Sequence, residues 1–204
     1  VIPVDSLAPG DKTLTVNVVP RSGRINSFMI DEQGKGLRAL GGDLVNPTSS
    51  ASRTVVIPAI PNQGKKPGQG AAPAHVLRVL TPGEVDASVT VELLSSDGVF
   101  IPVGLNSRSI SAGQVSEFTF TPKISSSAFA VKITSTEPVV AAVESSVAIG
   151  GGKDFTWSTA APELSEFTMA VTGLTPLVVF AGRPAFRPRG SVVRPGLRSL
   201  ACPP

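Results

Sequence analysis

Apolar and polar residues alternate over strand-length stretches along most of this chain, and turn-forming residues interrupt the alternation at short intervals. Residues 14–18 read Leu-Thr-Val-Asn-Val, and residues 89–93 read Val-Thr-Val-Glu-Leu. Alternation with a period of two places every second side chain on one face, as in a half-buried β-strand. Glycine and proline supply 20 and 19 of the 204 residues, enough for a turn between most stretches. The pattern predicts an all-β fold and argues against a helical bundle.

The predicted strands are rich in β-branched and aromatic residues, and each has a turn signal beside it. They cover residues 14–18, 25–30, 54–57, 76–80, 89–93, 99–103, 118–120, 129–133, 139–143, 154–158 and 169–171. Asp97 and Gly98 form a strong hairpin signal, because Asp-Gly tolerates positive φ angles. Residues 61–73, rich in Pro, Gly and Lys, are predicted to be a flexible loop or linker.

Two parts of the chain resemble one another. Residues 14–28 and residues 129–143 share the order of a strand, a polar Pro-containing turn and a second strand, and residues 53–61 align with residues 154–162. The offset is roughly 90–115 residues, the size of one β-sandwich unit. The repeat predicts tandem immunoglobulin-like β-sandwich repeats.

The repeat divides the chain into four segments. Residues 1–73 are predicted to be a partial β-sandwich unit that ends in the Pro/Gly-rich linker, and residues 74–165 a complete unit. Residues 166–181 are predicted to begin a further unit or to add strands, and residues 182–204 to form an Arg/Pro-rich disordered tail. We expect the chain to be a slice of a longer array, with a truncation or a shifted reading frame near position 181.

The net charge of +3 and the pI near 9.4 arise from the C-terminal tail. Five arginines lie beyond position 181, where no acid occurs, so residues 1–181 hold 13 basic and 15 acidic side chains and a net charge of −2. A basic tail can bind phosphates electrostatically, but this one lacks the interleaved aromatic residues of nucleic-acid readers. We expect no specific nucleic-acid binding. No apolar run predicts a membrane-spanning segment.

The residue types that carry most enzyme chemistry are scarce. His75 is the only histidine and Cys202 the only cysteine, so the sequence predicts neither a disulfide scaffold nor a histidine-based metal site. A Ser–His or Cys–His pair would need His75, which begins a predicted strand, and Cys202 lies in the predicted tail. His75 is therefore predicted to be either hydrogen-bonded within the fold or exposed.

Two further motifs have structural interpretations. Residues 150–154 read Gly-Gly-Gly-Lys-Asp, but a phosphate-binding loop needs glycine where Val147 stands and Ser or Thr where Asp154 stands, so a hairpin turn is predicted. Paired carboxylates could serve acid–base chemistry in a glycosidase, yet each candidate pair lies beside a turn signal and is predicted to be solvated. The pairs are Asp31 with Glu32, Glu84 with Asp86, and Glu163 with Glu166.

Metal and sugar sites receive little support. No Asp-x-Asp-x-Asp-Gly calcium loop occurs, although a calcium site built from backbone carbonyls stays open. Aromatic residues make up 5% of the chain, with no tyrosine and a single tryptophan. Trp157 alternates with Phe155, so both side chains face one side of a strand, and we predict that both belong to the core. The sequence predicts no catalytic residue, no metal ligand and no cofactor.

Several segments carry a family resemblance. They are residues 77–83, 87–91, 97–98, 129–135, 138–141, 154–157 and 160–162. Together they resemble the secreted or envelope-anchored β-rich proteins of actinobacteria that are classed only as a domain of unknown function. The resemblance covers roughly residues 10–181 and excludes the tail. It implies tandem sandwich domains and an extracytoplasmic location, and it carries no catalytic residue over to this chain.

The leading functional prediction is a non-enzymatic structural or adhesive β-sandwich module of a secreted or cell-envelope protein, with cell-wall or envelope components as partners. The alternative is a module that binds a carbohydrate or cell-wall ligand. Its loops would be those around Lys65 and Lys66 or at residues 104–108. The ligand-binding residues and the oligomeric state are not predicted.

Overall fold

The computed structural model describes residues 2–10, 13–35, 38–62, 74–149, 152–163, 169–170, 193–194 and 197–200. The chain divides into two compact units, Val1–Pro162 and Glu163–Pro204. One 3-10 turn, Val4–Ser6, precedes the strands, and the rest of the described regular structure is β. The prediction of an all-β fold is confirmed.

The described residues of the first unit contain ten strands. They are β1 (Met29–Lys35), β2 (Arg38–Val45), β3 (Ser52–Pro61), β4 (His75–Leu80), β5 (Ala87–Ser95), β6 (Gly98–Phe100), β7 (Arg108–Ile110), β8 (Val115–Phe120), β9 (Ala128–Ile149) and β10 (Gly152–Thr159). Strands β1 and β2 form a separate antiparallel hairpin, and the other eight form one sheet. Most of the predicted strands are therefore present.

Strand β9 organises the eight-stranded sheet, because each half of its 22 residues pairs with different neighbours. Its first half pairs with β3 on one side and β5 on the other. Its second half pairs with β4 on one side and β10 on the other. Strands β6 and β7 extend the first half beyond β5, and β8 extends the second half beyond β4. All of these pairings are antiparallel.

The two halves of the sheet share one hydrophobic core. The ring centres of His75 on β4 and Phe129 on β9 lie 5.1 Å apart. Phe129 belongs to the first half of β9, whereas β4 pairs with the second half. The fully buried large side chains are aliphatic except for His75: Ile57, Ile60, Leu77, Ile110, Ile133, Val55, Val79, Val89, Val91, Val131 and Val139. Alternate residues of β4 and β5 are buried, as their sequence pattern predicts.

The predicted turn between residues 133 and 139 is wrong, because β9 continues through Pro138 without interruption. Odd-numbered residues of β9 are buried from Phe129 to Ser145 except for the half-buried Glu137. Pro138 lacks an N–H group, and it lies where the strand exchanges its partners: Val139 is opposite Ser52 of β3, and Val140 is opposite Leu80 of β4. The backbone N–H that proline lacks is therefore missing at the point where β9 changes from one set of paired strands to the other.

The strand predicted at residues 14–18 is also wrong, and β1 begins only at Met29 rather than at residue 25. The described residues 13–28 are irregular, with Val16, Val18 and Phe28 exposed. Alternation is necessary for a half-buried strand, but a neighbouring strand must also supply backbone hydrogen bonds. No described neighbour pairs with residues 14–18.

The predicted linker and tail lie mostly outside the described residues, which omit 63–73 and most of 182–204. Strand β3, which belongs to the first predicted unit, pairs with β9 of the second within one compact unit. The second compact unit contains β11 (Met169–Ala170), β12 (Val193–Arg194) and β13 (Leu197–Leu200), in the order β11-β13-β12. The four-segment division stays a prediction.

Candidate functional site

A cluster of polar side chains covers the outer face of the sheet formed by β8, β4, β9 and β10. We call it the Trp157 cluster, and its members are Trp157, Arg78, Asp31, Asp43, Glu117 and Glu144. Arg78 lies between the core-facing Leu77 and Val79 on β4, so its own side chain points away from the core. The strand registers place Glu117 of β8 opposite Arg78 and Glu144 of β9 opposite Trp157.

Trp157 connects three segments of the chain. Its indole Nε1 donates a hydrogen bond of 2.9 Å to Oδ2 of Asp31, and its backbone N–H donates one of 2.6 Å to Oδ2 of Asp43. The guanidinium of Arg78 lies 4.7 Å from the centre of the indole ring, a cation–π distance. Phe155 is buried, whereas Trp157 is half-buried. Phe155 is therefore buried as predicted, although on the Trp157 face of β10 and not within the main core cluster. The core prediction is wrong for Trp157, because the indole N–H needs a polar partner.

Arg78 is held by two carboxylates. Its Nε donates to Oε1 of Glu117 at 2.6 Å, and its Nη1 donates to Oε2 of Glu144 at 2.5 Å. Burial opposes the charge of Arg78, but the bonds to the two glutamates outweigh it and raise the pKa of Arg78. The same contact lowers the pKa of Glu117, which also accepts a bond from Thr13. The positive charge of the guanidinium is thus balanced by carboxylates of the same chain.

The β1–β2 hairpin lies against β10 through two aspartates and a glycine. Asp31 and Asp43 are directly opposite one another in the hairpin, an unfavourable arrangement of like charges unless both carboxylates find donors. Both do so at β10, where Asp43 also accepts a bond from Oγ1 of Thr156. Gly41 approaches β10 so closely that a Cβ there would overlap Oδ1 of Asp154. The cluster therefore attaches the hairpin to the sheet.

His75 and Ser145 form a buried polar contact on the opposite, core-facing side. Nδ1 of His75 lies 2.9 Å from Oγ of Ser145, and the imidazole is packed against Phe120 and Phe129. Burial lowers the pKa of His75 to about 4. A Ser–His contact can activate a nucleophile, but both residues are buried, so a substrate cannot reach this serine. The hydrogen-bonded state predicted for His75 is the one found.

Sequence reasoning missed Ser145 as the partner of His75. The signal was available, because Val139, Ala141 and Val143 place the odd positions of β9 on the core face and Ser145 continues that series. A buried hydroxyl requires a hydrogen-bond partner, and His75 is directly opposite Ser145 in the β4–β9 register.

The predicted carboxylate pairs have separate environments. Asp31 binds Trp157, whereas the neighbouring Glu32 is exposed on the other face of β1. Oδ1 of Asp86 accepts the backbone N–H of Ala112, and Glu84 is exposed. Glu163 is exposed, and Glu166 lies outside the described residues.

The remaining candidates are loops. Ile149 is opposite Gly152, which confirms a hairpin connection at the glycine-rich stretch. Lys65, Lys66 and Cys202 lie outside the described residues. Residues 104–107 belong to the loop from β6 to β7, Arg108 begins β7, and the loop is closed by a bond from Leu105 N–H to the Pro102 carbonyl.

A surface cavity of 310 Å³ lies where β4 leads into β5, next to the midpoint of β9. Its lining combines prolines, a valine and two carboxylates: Thr81, Pro82, Gly83, Glu84, Val85, Glu137 and Pro138. Oε2 of Glu137 lies 3.2 Å from Nη2 of Arg53. Glu84 forms no ion pair with any of the described residues.

Neither metal ligands nor a membrane helix is found in the described part of the chain. Within that part, no three His, Cys, Asp or Glu side chains are grouped as a metal site would require. No helix among the residues with described structure has the length and apolar character needed to cross a membrane.

Comparison with known proteins gives one family and several partial structural likenesses, including the following two. The family described as "Family of unknown function (DUF5719)" matches residues 1–180. A Thermotoga maritima crystal structure, "Thermotoga maritima 1070", is 12% identical with a TM-score of 0.43, covering 57% of this chain and 96% of that one. The "Anabaena sensory rhodopsin transducer" is 24% identical with a TM-score of 0.33, covering 47% and 97%. No curated protein matches the sequence.

Proposed function

The chain belongs to the DUF5719 family of unknown function, and from that premise we propose that it is a non-enzymatic structural or adhesive β-module of a secreted or cell-envelope protein. Its partners would be cell-wall or envelope components. The observation that carries the proposal is that the side chains best suited to chemistry are engaged in holding distant segments together.

Three contacts support this interpretation. Trp157 joins β10 to the hairpin that precedes it by more than 100 residues in the chain, through Asp31. Arg78 joins β4 to β8 and β9 through Glu117 and Glu144. His75 joins β4 to β9 in the core. Groups committed in this way stabilise a fold, because the charge of Arg78 is balanced by two carboxylates and His75 is buried.

Binding to envelope material tests the proposal directly. The purified chain should co-sediment with cell-wall fragments from the organism that encodes it, and the bound fraction should saturate with protein concentration. A denatured and refolded sample that recovers its near-UV spectrum should recover the binding. A chain that stays in the supernatant at all concentrations would contradict the adhesive role.

A carbohydrate ligand is the second candidate, and the half-buried indole of Trp157 favours it. Ligand sites combine aromatic side chains with a few polar groups, and the indole of Trp157 has two carboxylates and a guanidinium beside it that a sugar would share with the fold. Binding on a glycan array that disappears in W157A but persists in F28A, which removes an exposed phenylalanine of the irregular segment, would support this candidate. Equal binding by both variants would oppose it.

Tandem immunoglobulin-like repeats, an extracytoplasmic location and an actinobacterial origin form the finer part of the proposal. The similarity between residues 53–61 and 154–162 supports the repeat, because β3 and β10 each pair antiparallel with one half of β9. Longer members of the family should contain further copies of the pattern at intervals of roughly 90–115 residues. Family members without any such copies would oppose the array.

A further inference from the structure

An uncharged, apolar stretch lies at the edge of the sheet beside β5, in the end of β6 and the loop that follows it. We call residues 99–103, with the sequence Val-Phe-Ile-Pro-Val, the apolar tip. Val103 is 104% exposed, Val99 62% and Ile101 49%. Single exposed apolar residues are ordinary, but several adjacent ones mark a surface that another molecule covers.

The apolar tip is held in place rather than loosely attached. The N–H of Leu105 donates to the carbonyl of Pro102, and the N–H of Val91 on β5 donates to the carbonyl of Leu105. The first two residues of the tip, Val99 and Phe100, belong to strand β6 and pair with Leu94 and Leu93 of β5. The loop therefore presents its apolar side chains with little conformational entropy left to lose when they are covered.

The cavity of 310 Å³ offers a complementary surface on the same chain. Pro82, Val85 and Pro138 provide its apolar lining, and Val85 is 63% exposed. The cavity lies just before Ala87, where β5 begins, whereas the tip is anchored at Val91. Four residues of strand, about 13 Å, separate Ala87 from Val91, so the cavity and the tip lie at different positions along β5.

The charges beside the two surfaces are opposite. Arg108 lies next to the tip, with its Nη2 3.5 Å from the position that a Cβ on Gly104 would take, and its guanidinium lies 5.7 Å from the centre of the Phe118 ring. The cavity includes the carboxylates of Glu84 and Glu137, of which Glu137 already pairs with Arg53. An incoming tip would thus bring a guanidinium towards Glu84.

We propose that the apolar tip of one copy of this chain docks in the cavity of a second copy, with Arg108 facing Glu84. A second copy is favoured over an unlike protein because one chain carries both complementary surfaces and both complementary charges. Reciprocal docking would close a symmetric dimer, and one-way docking would produce an open series of copies. The contact goes beyond the proposed envelope function and does not depend on it.

The contact is small, so the association is expected to be weak. The tip contributes five residues, far fewer than the 20 to 30 per side of a standard stable interface, which indicates a dissociation constant in the range of roughly 10 μM to 1 mM. Sedimentation velocity of the full chain over that concentration range should show a concentration-dependent increase in mean mass, whether towards a dimer or towards larger assemblies.

Two substitutions separate the tip from general surface effects. V103D places a charge at the centre of the tip and should raise the dissociation constant at least about tenfold. V19D makes the same change at an exposed valine of the irregular N-terminal segment and should leave the association unchanged. Both changes lie at exposed positions, and circular dichroism would check that each variant remains folded.

Charge reversal at Arg108 and Glu84 tests whether these two residues face one another between copies. R108E and E84R should each weaken self-association, and an equimolar mixture of the two variants should associate again, because each tip then meets a cavity of opposite charge. Loss of folding cannot produce this recovery. The proposal is overturned if the wild-type chain is monomeric throughout, if V103D associates as the wild type does, or if the mixture shows no recovery.

Discussion

Asp31 and Asp43 are directly opposite one another in the β1–β2 hairpin, and both carboxylates bind Trp157 of β10. Two like charges in this position repel one another, so the hairpin alone would be disfavoured. Trp157 offsets the repulsion by donating to both carboxylates: Asp31 accepts the indole N–H and Asp43 accepts the backbone N–H. The pair explains why a hairpin outside the main sheet lies against β10.

Removing Asp43 should cost more stability than removing Asp31. D43A leaves the backbone N–H of Trp157 and the hydroxyl of Thr156 without their acceptor and should lower the free energy of unfolding by about 2 kcal/mol. D31A loses only the bond from the indole N–H, so its cost should be about 0.5–1 kcal/mol, and the relief of the repulsion is the same in both variants. Urea denaturation measures both values.

E32A is the matched control for these two variants, since Glu32 is exposed on the opposite face of the same strand. It should change the free energy of unfolding by less than about 0.5 kcal/mol. A D43A variant as stable as E32A would contradict the role of Asp43 in attaching the hairpin.

Gly41 should not tolerate a side chain. Its φ angle is 153°, and a Cβ would lie 3.1 Å from Cα of Asp154 in addition to overlapping that residue's carboxylate. G41A should therefore destabilise the protein by about 2 kcal/mol or more in thermal or urea unfolding. The adjacent G42A, whose Cβ would find its nearest neighbour at 3.4 Å, should cost less than G41A. An inverted order would rule out the close approach of β2 to β10.

Arg78 should contribute far more stability than a surface arginine. R78A leaves Glu117 and Glu144 without their shared cation and removes the packing on Trp157, so the expected cost is about 3 kcal/mol. R53A, which breaks the exposed contact with Glu137, should cost no more than about 0.5 kcal/mol. The comparison uses denaturant unfolding at neutral pH, and similar losses in the two variants would contradict the account.

The stability of the fold should fall as the pH decreases from about 6.5 towards 4. Burial lowers the pKa of His75 to about 4, whereas an unfolded histidine has a pKa of about 6.5, so the unfolded chain takes up the proton first. The contribution of neutral His75 is complete above pH 6.5 and is lost progressively below it, up to about 3 kcal/mol. As the only histidine, it can be titrated by NMR without ambiguity.

A double substitution isolates the histidine from other acid effects. H75F together with S145A replaces the pair by apolar groups and avoids leaving the serine unpaired. This variant should lose less stability between pH 7 and pH 5 than the wild type does. A native His75 that titrates near pH 6.5 would refute the buried, neutral state.

Local patterns predicted the strands that have neighbours to pair with. Alternation in residues 76–80 and 89–93 corresponds to β4 and β5, and the Asp-Gly turn at residue 97 leads into β6, with Gly98 at a positive φ angle. The same signal at residues 14–18 failed, because alternation describes a side-chain pattern and cannot show whether a partner strand is present.

The Trp157 cluster could be predicted only in part. The spacing of Phe155 and Trp157 correctly placed both side chains on one face of β10, but the partner of the indole lies 126 positions away. Nothing local in the sequence links Asp31 to Trp157. Pro138 led to the wrong prediction of a turn for a related reason. A proline normally ends a strand, but it is tolerated within β9 because the strand changes beside it from one set of neighbouring strands to another.

The location of the protein in the cell tests the central claim most directly. Cells of the encoding organism can be separated into cytosol, envelope and culture medium, and the protein detected in each fraction with an antibody against the folded chain. The proposed structural or adhesive role predicts recovery in the envelope or the medium, with a resident cytosolic enzyme as the control for lysis. Recovery in the cytosolic fraction alone would contradict it.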